Sequence, residues 1–213
     1  MFTITIRFFI SFFFVTLSYG CATNSVKQIA RSMYNIEEVG VSDFDGTKHV
    51  RVNNIPCTGA WFDLYQDSKM SINKIVMLKV KIPGVNSIGD GKSLHFNVDG
   101  EFLEFDTVDS VTGVEEVFSS QYSPGYVGGG TYVSPYYSPA TRASTKQYLI
   151  TEHDAVQIAR ANKAVMRVDM KQSSVEGRCD PQEISDGNYK SLARELSGTA
   201  GFARFTELIK TLD

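Results

Sequence analysis

Apolar and polar residues alternate along much of this chain, and the period is two far more often than 3.6. Residues 75–82 set Ile75, Met77 and Lys79 on one side and Val76, Leu78, Val80 and Ile82 on the other. The second set is apolar throughout, the pattern of a strand with one buried face. Residues 93–98 repeat it, with Leu94, Phe96 and Val98 pointing one way and His95 and Asn97 the other. Asp99-Gly100 joins that strand to residues 101–107. Asp45-Gly46 separates Val39, Val41 and Phe44 from residues 48–52. An Asp-Gly pair between alternating segments is a strong hairpin signal. Further strands are expected at 59–65, around Trp61, and at 146–150, 164–170 and 175–178, with Trp61 in the core.

The 3.6 period comes late. Thr151-Glu152-His153-Asp154 reads as a capping box opening a helix to Ala161, with Val156, Ile158 and Ala159 inward. A second helix is expected at 188–196, closed by Gly198. Thr199 would cap a third, whose apolar stripe is Phe202, Phe205, Leu208, Ile209 and Leu212. Strands joined by hairpins, with helices gathered at the end, predict a mainly β or α+β fold. The expected form is an antiparallel β-sandwich-like domain with two or three helices near the C-terminus, not alternating βαβ units.

Residues 119–145 fit neither period. They are rich in Gly, Ser and Pro and hold Tyr122, Tyr126, Tyr132, Tyr136 and Tyr137, five of the ten tyrosines. The expectation is a flexible insertion between strands. Tyrosine offers contact area with one polar end, so this insertion is a candidate surface for saccharide or protein. The other reading is a loop without a partner.

The first 21 residues differ in kind. Arg7 precedes an apolar run over 8–17, and small or semi-polar residues lead to Cys21, the layout of a secretory signal peptide. Leu17-Ser18-Tyr19-Gly20-Cys21 resembles the lipobox of bacterial lipoproteins. That resemblance implies that Cys21 becomes the first residue of the mature chain and carries lipid. Ala22, where an Asp would imply retention at the inner membrane, implies the outer membrane of a Gram-negative bacterium and a periplasm-facing domain. The resulting division is a signal peptide at 1–20, a lipidated N-terminus and tether at 21–36 with a short helix around 26–33, and one domain at 37–213. A plain signal peptide cut near Gly20 is one alternative. A membrane span is another, although 8–17 falls short of the ~20 apolar residues a span needs. The later order of strand, capped helix, strand and Phe-rich final helix loosely resembles several uncharacterised bacterial envelope proteins.

Charge and cysteines narrow the picture. Net charge is −3, and losing residues 1–20 removes one cation and no acid. A mildly acidic chain gives no reason to expect nucleic-acid binding. With Cys21 taken by lipid, Cys57 and Cys179 remain in a compartment that permits disulfides, and they are expected to pair. Such a long closure stabilises by about 2–4 kcal/mol. Two separate buried thiols are the alternative. No zinc or other metal site is expected, because the two cysteines lack His partners at ligand spacing, and no cofactor is expected.

Three motifs carry candidate chemistry. Asp43-Phe44-Asp45-Gly46-Thr47 resembles the first motif of haloacid-dehalogenase-type phosphatases. That resemblance implies Asp43 as nucleophile, Asp45 as acid/base and Mg²⁺ between carboxylates. The competing reading is a plain hairpin turn, since 48–52 looks like a return strand. Gly89-Asp90-Gly91-Lys92-Ser93 echoes a phosphate loop, but Asn86 stands where its first glycine belongs, so a turn is expected. His49, His95 and His153 fall on a strand, a strand and a helix start, and no Gly-x-Ser-x-Gly elbow occurs. The expectation is a non-enzymatic outer-membrane lipoprotein, a binding or envelope-assembly module, with the Mg²⁺-dependent phosphatase as the alternative.

Overall fold

A computed structural model describes residues 36–117, 120–127, 130–137, 141–181 and 193–212. Cys21, the signal peptide, the 26–33 helix and most of the 188–196 helix lie outside the described residues.

Two antiparallel sheets enclose the core in a sandwich-like half-barrel. The first comprises β1 (Ile36–Val41), β2 (Lys48–Cys57), β3 (Ala60–Asp67), β4 (Ile75–Pro83), β10 (Thr141–Thr151) and β7 (Gly113–Val117), in that spatial order. The second comprises β12 (Ser174–Arg178), β11 (Ala164–Asp169), β5 (Lys92–Val98) and β6 (Glu101–Asp106). Both expected Asp-Gly hairpins form. Asp99 and Gly100 take φ of 52° and 101° between β5 and β6, a left-handed pair that suits a two-residue turn. Helix α1 (Ser68–Ile72) follows β3, α2 (Glu152–Arg160) follows β10, and α3 (Gly198–Leu208) ends in a 3₁₀ turn.

Period-two burial builds the core. Val76, Leu78, Val80 and Ile82 of β4 are all buried, as are Leu94, Phe96 and Val98 of β5. Helix α3 closes the open side, and its Phe202 ring meets Phe62 and Phe96 at 6.2 and 6.1 Å between centroids. Phe62 and Phe96 are themselves 5.6 Å apart, so three aromatics join both sheets and the helix. Each fully buried Phe contributes about 1.5–3 kcal/mol. The sheets are tied at several places. A Thr107–Tyr148 bridge links the end of β6 to β10. The Cys57–Cys179 disulfide, with Cα atoms 4.4 Å apart, links β2 to the residue after β12. Beside it Thr58 N–H donates to Arg178 O at 2.9 Å.

Several local expectations need correction. Trp61 is half-buried on the outer face of β3, because Ala60, Phe62, Leu64 and Gln66 take the inner one. Val39, Val41 and Phe44 are exposed, since β1 is an edge strand that overhangs the core. Gly198 does not close a helix: it opens α3, and Ser197 caps that helix instead of Thr199, accepting from Ala200 N. A Cβ on Gly198 would lie 2.8 Å from Cys57 Sγ, so the glycine is there to let α3 sit on the disulfide. Helix α1 and strand β7 were not expected. Residues 119–145 hold two paired strands, β8 (Ser120–Val127) and β9 (Gly130–Tyr137), and β10 starts at Thr141 instead of 146.

Candidate functional site

The solvent face of the four-stranded sheet forms a groove of about 640 Å³. Strand pairing arranges its side chains in two rows. Phe102, Asn97 and Val165 lie side by side across β6, β5 and β11. The next row runs Glu104, His95, Arg167 and Glu176 across β6, β5, β11 and β12. These are the polar-side positions of strands whose other faces are core. An apolar strip, with Phe102 at 74 % exposure, therefore adjoins a charged one.

The charges are mutually engaged. Asp169 lies at the end of the groove, where its Oδ2 is 3.0 Å from His95 Nε2 and its Oδ1 accepts from Arg167 Nε at 2.8 Å. Burial raises the Asp169 carboxyl, but the hydrogen bonds from Arg167 and His95 outweigh it and hold it below the usual range. An ionised carboxylate only accepts, so His95 donates through Nε2. Its Nδ1 then faces Glu104 Oε1 at 3.7 Å. Glu104 also accepts from Lys92 Nζ at 3.2 Å, and Arg167 Nη1 is 3.7 Å from Glu176. Lys163, on the rim, has no ion-pair partner among the described residues. A carboxylate-held histidine is the orienting half of an acid–base pair. The groove offers paired charges, an amide and an aromatic face.

A second polar cluster lies inside the domain, on β10. Lys146 is wholly buried, and its Nζ donates to Asp90 Oδ1 at 2.6 Å. That bond holds the Asp90 carboxyl below its ordinary value. Tyr148 and Ser93 hydroxyls are 2.9 Å apart, and Ser93 donates to Gly89 O at 2.9 Å. Burial pushes the Tyr148 hydroxyl up to about 12. Ser144 Oγ donates to Gly84 O and accepts from Asn86 N. All of these bonds run to the 84–93 connection that carries the phosphate-loop echo. That segment leads into β5, not a helix, and its amides are committed: Gly89 N donates to Asp169 O, and Ser93 N to Gly91 O.

The other sequence candidates are scattered. Asp43 and Asp45 occupy the exposed turn between β1 and β2, which is antiparallel, unlike the parallel strand of haloacid dehalogenases. Asp45 Oδ1 accepts from Thr47 N at 3.1 Å and Oδ2 from Lys69 Nζ at 2.6 Å. Lys69, with smaller help from Thr47 and Ser42, holds the Asp45 carboxyl far below the usual range. Among the described residues no three His, Cys, Asp or Glu side chains are grouped to hold a metal. His49 is 3.6 Å from Glu38 and stacks on Tyr65, and His153 is exposed in the first turn of α2. Tyr122, Tyr126, Tyr132, Tyr136 and Tyr137 fall on the β8–β9 ribbon, where only the backbone is described. The groove itself was missed; its one sequence signal was the polar His95–Asn97 face of β5. No protein-family model and no curated protein matches the chain.

Proposed function

We propose that this chain is a lipoprotein of the bacterial outer membrane, anchored through Cys21, that faces the periplasm and acts as a binding or envelope-assembly module. The observation that carries the binding role is the four-stranded sheet's groove, with exposed Phe102 beside a row of paired charges and Lys163 on the rim. An aromatic face next to hydrogen-bonding groups suits saccharide or an envelope protein. The Cys57–Cys179 disulfide supports the compartment, because such bonds persist where thiols are oxidised. No helix among the described residues is long and apolar enough to cross a membrane. The tyrosine-rich ribbon is a second contact surface in the same reading.

A photo-crosslinking amino acid placed at Phe102 in the full chain, in intact cells, tests the groove. Adducts with protein or glycan are expected there and not at a control position, Lys171, on the β11–β12 turn. Equal labelling at both positions, or none at Phe102, would sink the binding role. Intact mass of the membrane-extracted chain tests the anchor separately: acyl groups on a chain that begins at Cys21 are expected.

A further inference from the structure

Helices α2 and α3 pack side by side, and a groove of about 440 Å³ runs between them and Glu37 of β1. Its floor is apolar. Val156 and Ala159 of α2 and Ala203 and Leu208 of α3 line it, and each is only half-buried. The rim is charged and largely paired. Arg204 Nε lies 3.3 Å from Glu37, and Lys210 Nζ lies 2.8 Å from Glu207, with Arg160 exposed beside them.

The strand next to this groove is also under-covered. Glu37, Val39 and Val41 share one face of β1. Register sets Glu37 opposite Val52 and Val39 opposite Val50, and both partners are buried, so this is the face that β2 turns to the core. Yet Val39 and Val41 are 57 % and 61 % exposed. An inner-facing apolar margin therefore continues from Glu37 along β1.

The chain itself supplies a cover. Residues 22–35 lead directly into Ile36, one residue before Glu37, so they enter at the Arg204 end of the groove. Within them Val26, Ile29, Ala30 and Met33 follow the i, i+3, i+4, i+7 spacing of one helix face. Ser25 and Gln28 have the spacing of a capping box at the start of that run. Lys27 and Arg31 fall on the other side of such a helix, away from Arg160 and Lys210. The helix 26–33 would span about 12 Å, and α3 with its final turn runs about 11 Å from Ala203 to Lys210 at the same rise. So short a helix is marginal alone in water. Joined to β1 by Tyr34 and Asn35 alone, it meets the groove at an effective concentration on the order of millimolar.

We propose that the groove between α2 and α3 is the seat of the chain's own residues 26–33, docked as a helix with Val26, Ile29, Ala30 and Met33 inward. Docking itself needs no lipid at Cys21, but its consequence rests on the anchor proposed above. Extended chain from Cys21 to Ile36 reaches about 50 Å, whereas from Cys21 to Val26 it reaches about 17 Å. A seated segment thus holds the domain close to the bilayer, and a released one lets it reach outward.

The test places a benzophenone amino acid at Lys210 in the full chain, with the same residue at Lys171 as the control. Irradiation should give a link from position 210 to residues 26–33 of the same chain, mapped by peptide mass, and none from position 171. Amides of 29–33 should exchange hydrogen at least about tenfold slower than in an Ile29→Asp, Met33→Asp variant, the ratio for a segment seated nine-tenths of the time. That variant should also lose the link, and it spares the domain because neither residue belongs to the described core. A link that survives both substitutions overturns the seat, as does no link at all. A cross-linked dimer would make a second copy the occupant, and a foreign adduct another protein; either overturns it. Intact mass is recorded on the same sample. An unacylated chain removes the anchor and its consequence, and the link still decides the docking.

Discussion

Replacing Gly177 by Ala should be among the most damaging single-methyl changes this fold can receive. Gly177 lies in β12 where that strand passes the β2–β3 turn. A Cβ there would fall 1.8 Å from Thr58 O, 2.8 Å from Thr58 C and 2.9 Å from Met166 Cε. Packed carbon atoms approach to ~3.5–4.0 Å, so the turn must retreat by roughly 1.5 Å. That retreat breaks the bond from Thr58 N to Arg178 O, worth about 0.5–1.5 kcal/mol. Overpacking adds about 1–3 kcal/mol, and the turn cannot move freely because Cys57 beside it is tied to Cys179. The lower unfolded-state entropy of Ala returns about 0.4–1 kcal/mol. Taking the middle of each range, the net loss is about 2 kcal/mol, which lowers Tm by roughly 4–8 °C in a domain of this size. Urea unfolding of the full chain measures it. Glu176→Ala is the control: it removes an exposed side chain from the next residue and should stay within about 0.5 kcal/mol of the parent. A Gly177→Ala midpoint equal to that of the control would refute the close approach of β12 to the turn.

Three further outcomes are expected. Reducing Cys57–Cys179, or changing both residues to Ser, should cost about 2–5 kcal/mol in urea unfolding, since the bridge spans 122 residues. Thr151→Ala should cost about 1 kcal/mol, because Thr151 Oγ1 accepts from Asp154 N at 3.1 Å and the Asp154 carboxylate takes the Thr151 N–H in return. Stability should fall in acid. Asp180 is buried, which raises its carboxyl, but Arg178 and the Ala164 amide outweigh burial and leave it low; Asp169 and Asp90 are low as well. Carboxyls with folded values below their unfolded value of ~4 stabilise fully above that pH, and the contribution is lost as pH falls through the folded values. Tm measured against pH should drop below about pH 4, and Asp180→Asn should make that drop shallower; an unchanged slope would remove Asp180 from the account.

Local chemistry made part of this fold legible. The two Asp-Gly turns, the Thr151 capping box and the pure apolar face of β4 each depend on neighbours within a few residues, and each forms as the pattern implies. The Cys57–Cys179 pairing was legible by a different route, from compartment and count. What failed depends on contacts far along the chain. In β3 both faces carry large apolar groups, Trp61 and Tyr65 against Phe62 and Leu64. Alternation says which residues share a face but not which face meets α3. Val39 and Val41 alternate like core residues, yet β1 has a neighbour on one side only. Gly198 looks like a helix terminator in isolation; its cause is the disulfide beneath it. The β8–β9 ribbon carries Pro124 and Pro135, which argue against strands, although proline is tolerated at sheet edges. The groove was the least legible feature, because its rows exist only once Asn97 is registered beside Phe102 and Val165.

The buried Lys146 contradicts its own strand pattern, and its place in the fold gives it a reason. Paired to apolar isosteres, β10 would lose nothing in packing, and buried ion pairs add little stability over apolar replacements. Lys146, Ser144 and the Tyr148–Ser93 pair instead all reach the 84–93 connection. That connection in turn donates Gly89 N to Asp169 O at 2.8 Å, and its Ile88 bridges Met170. A Cβ at Gly89 would sit 3.0 Å from the same carbonyl, so the connection packs closely on the end of β11. Asp169 is the group that orients His95 and Arg167 in the groove. The polar row inside the six-stranded sheet therefore acts at a distance: it fixes a connection, the connection fixes the end of β11, and the end of β11 fixes the carboxylate on which the charged row depends. A polar network kept in the core for geometry rather than for stability would serve the binding face proposed for the other sheet.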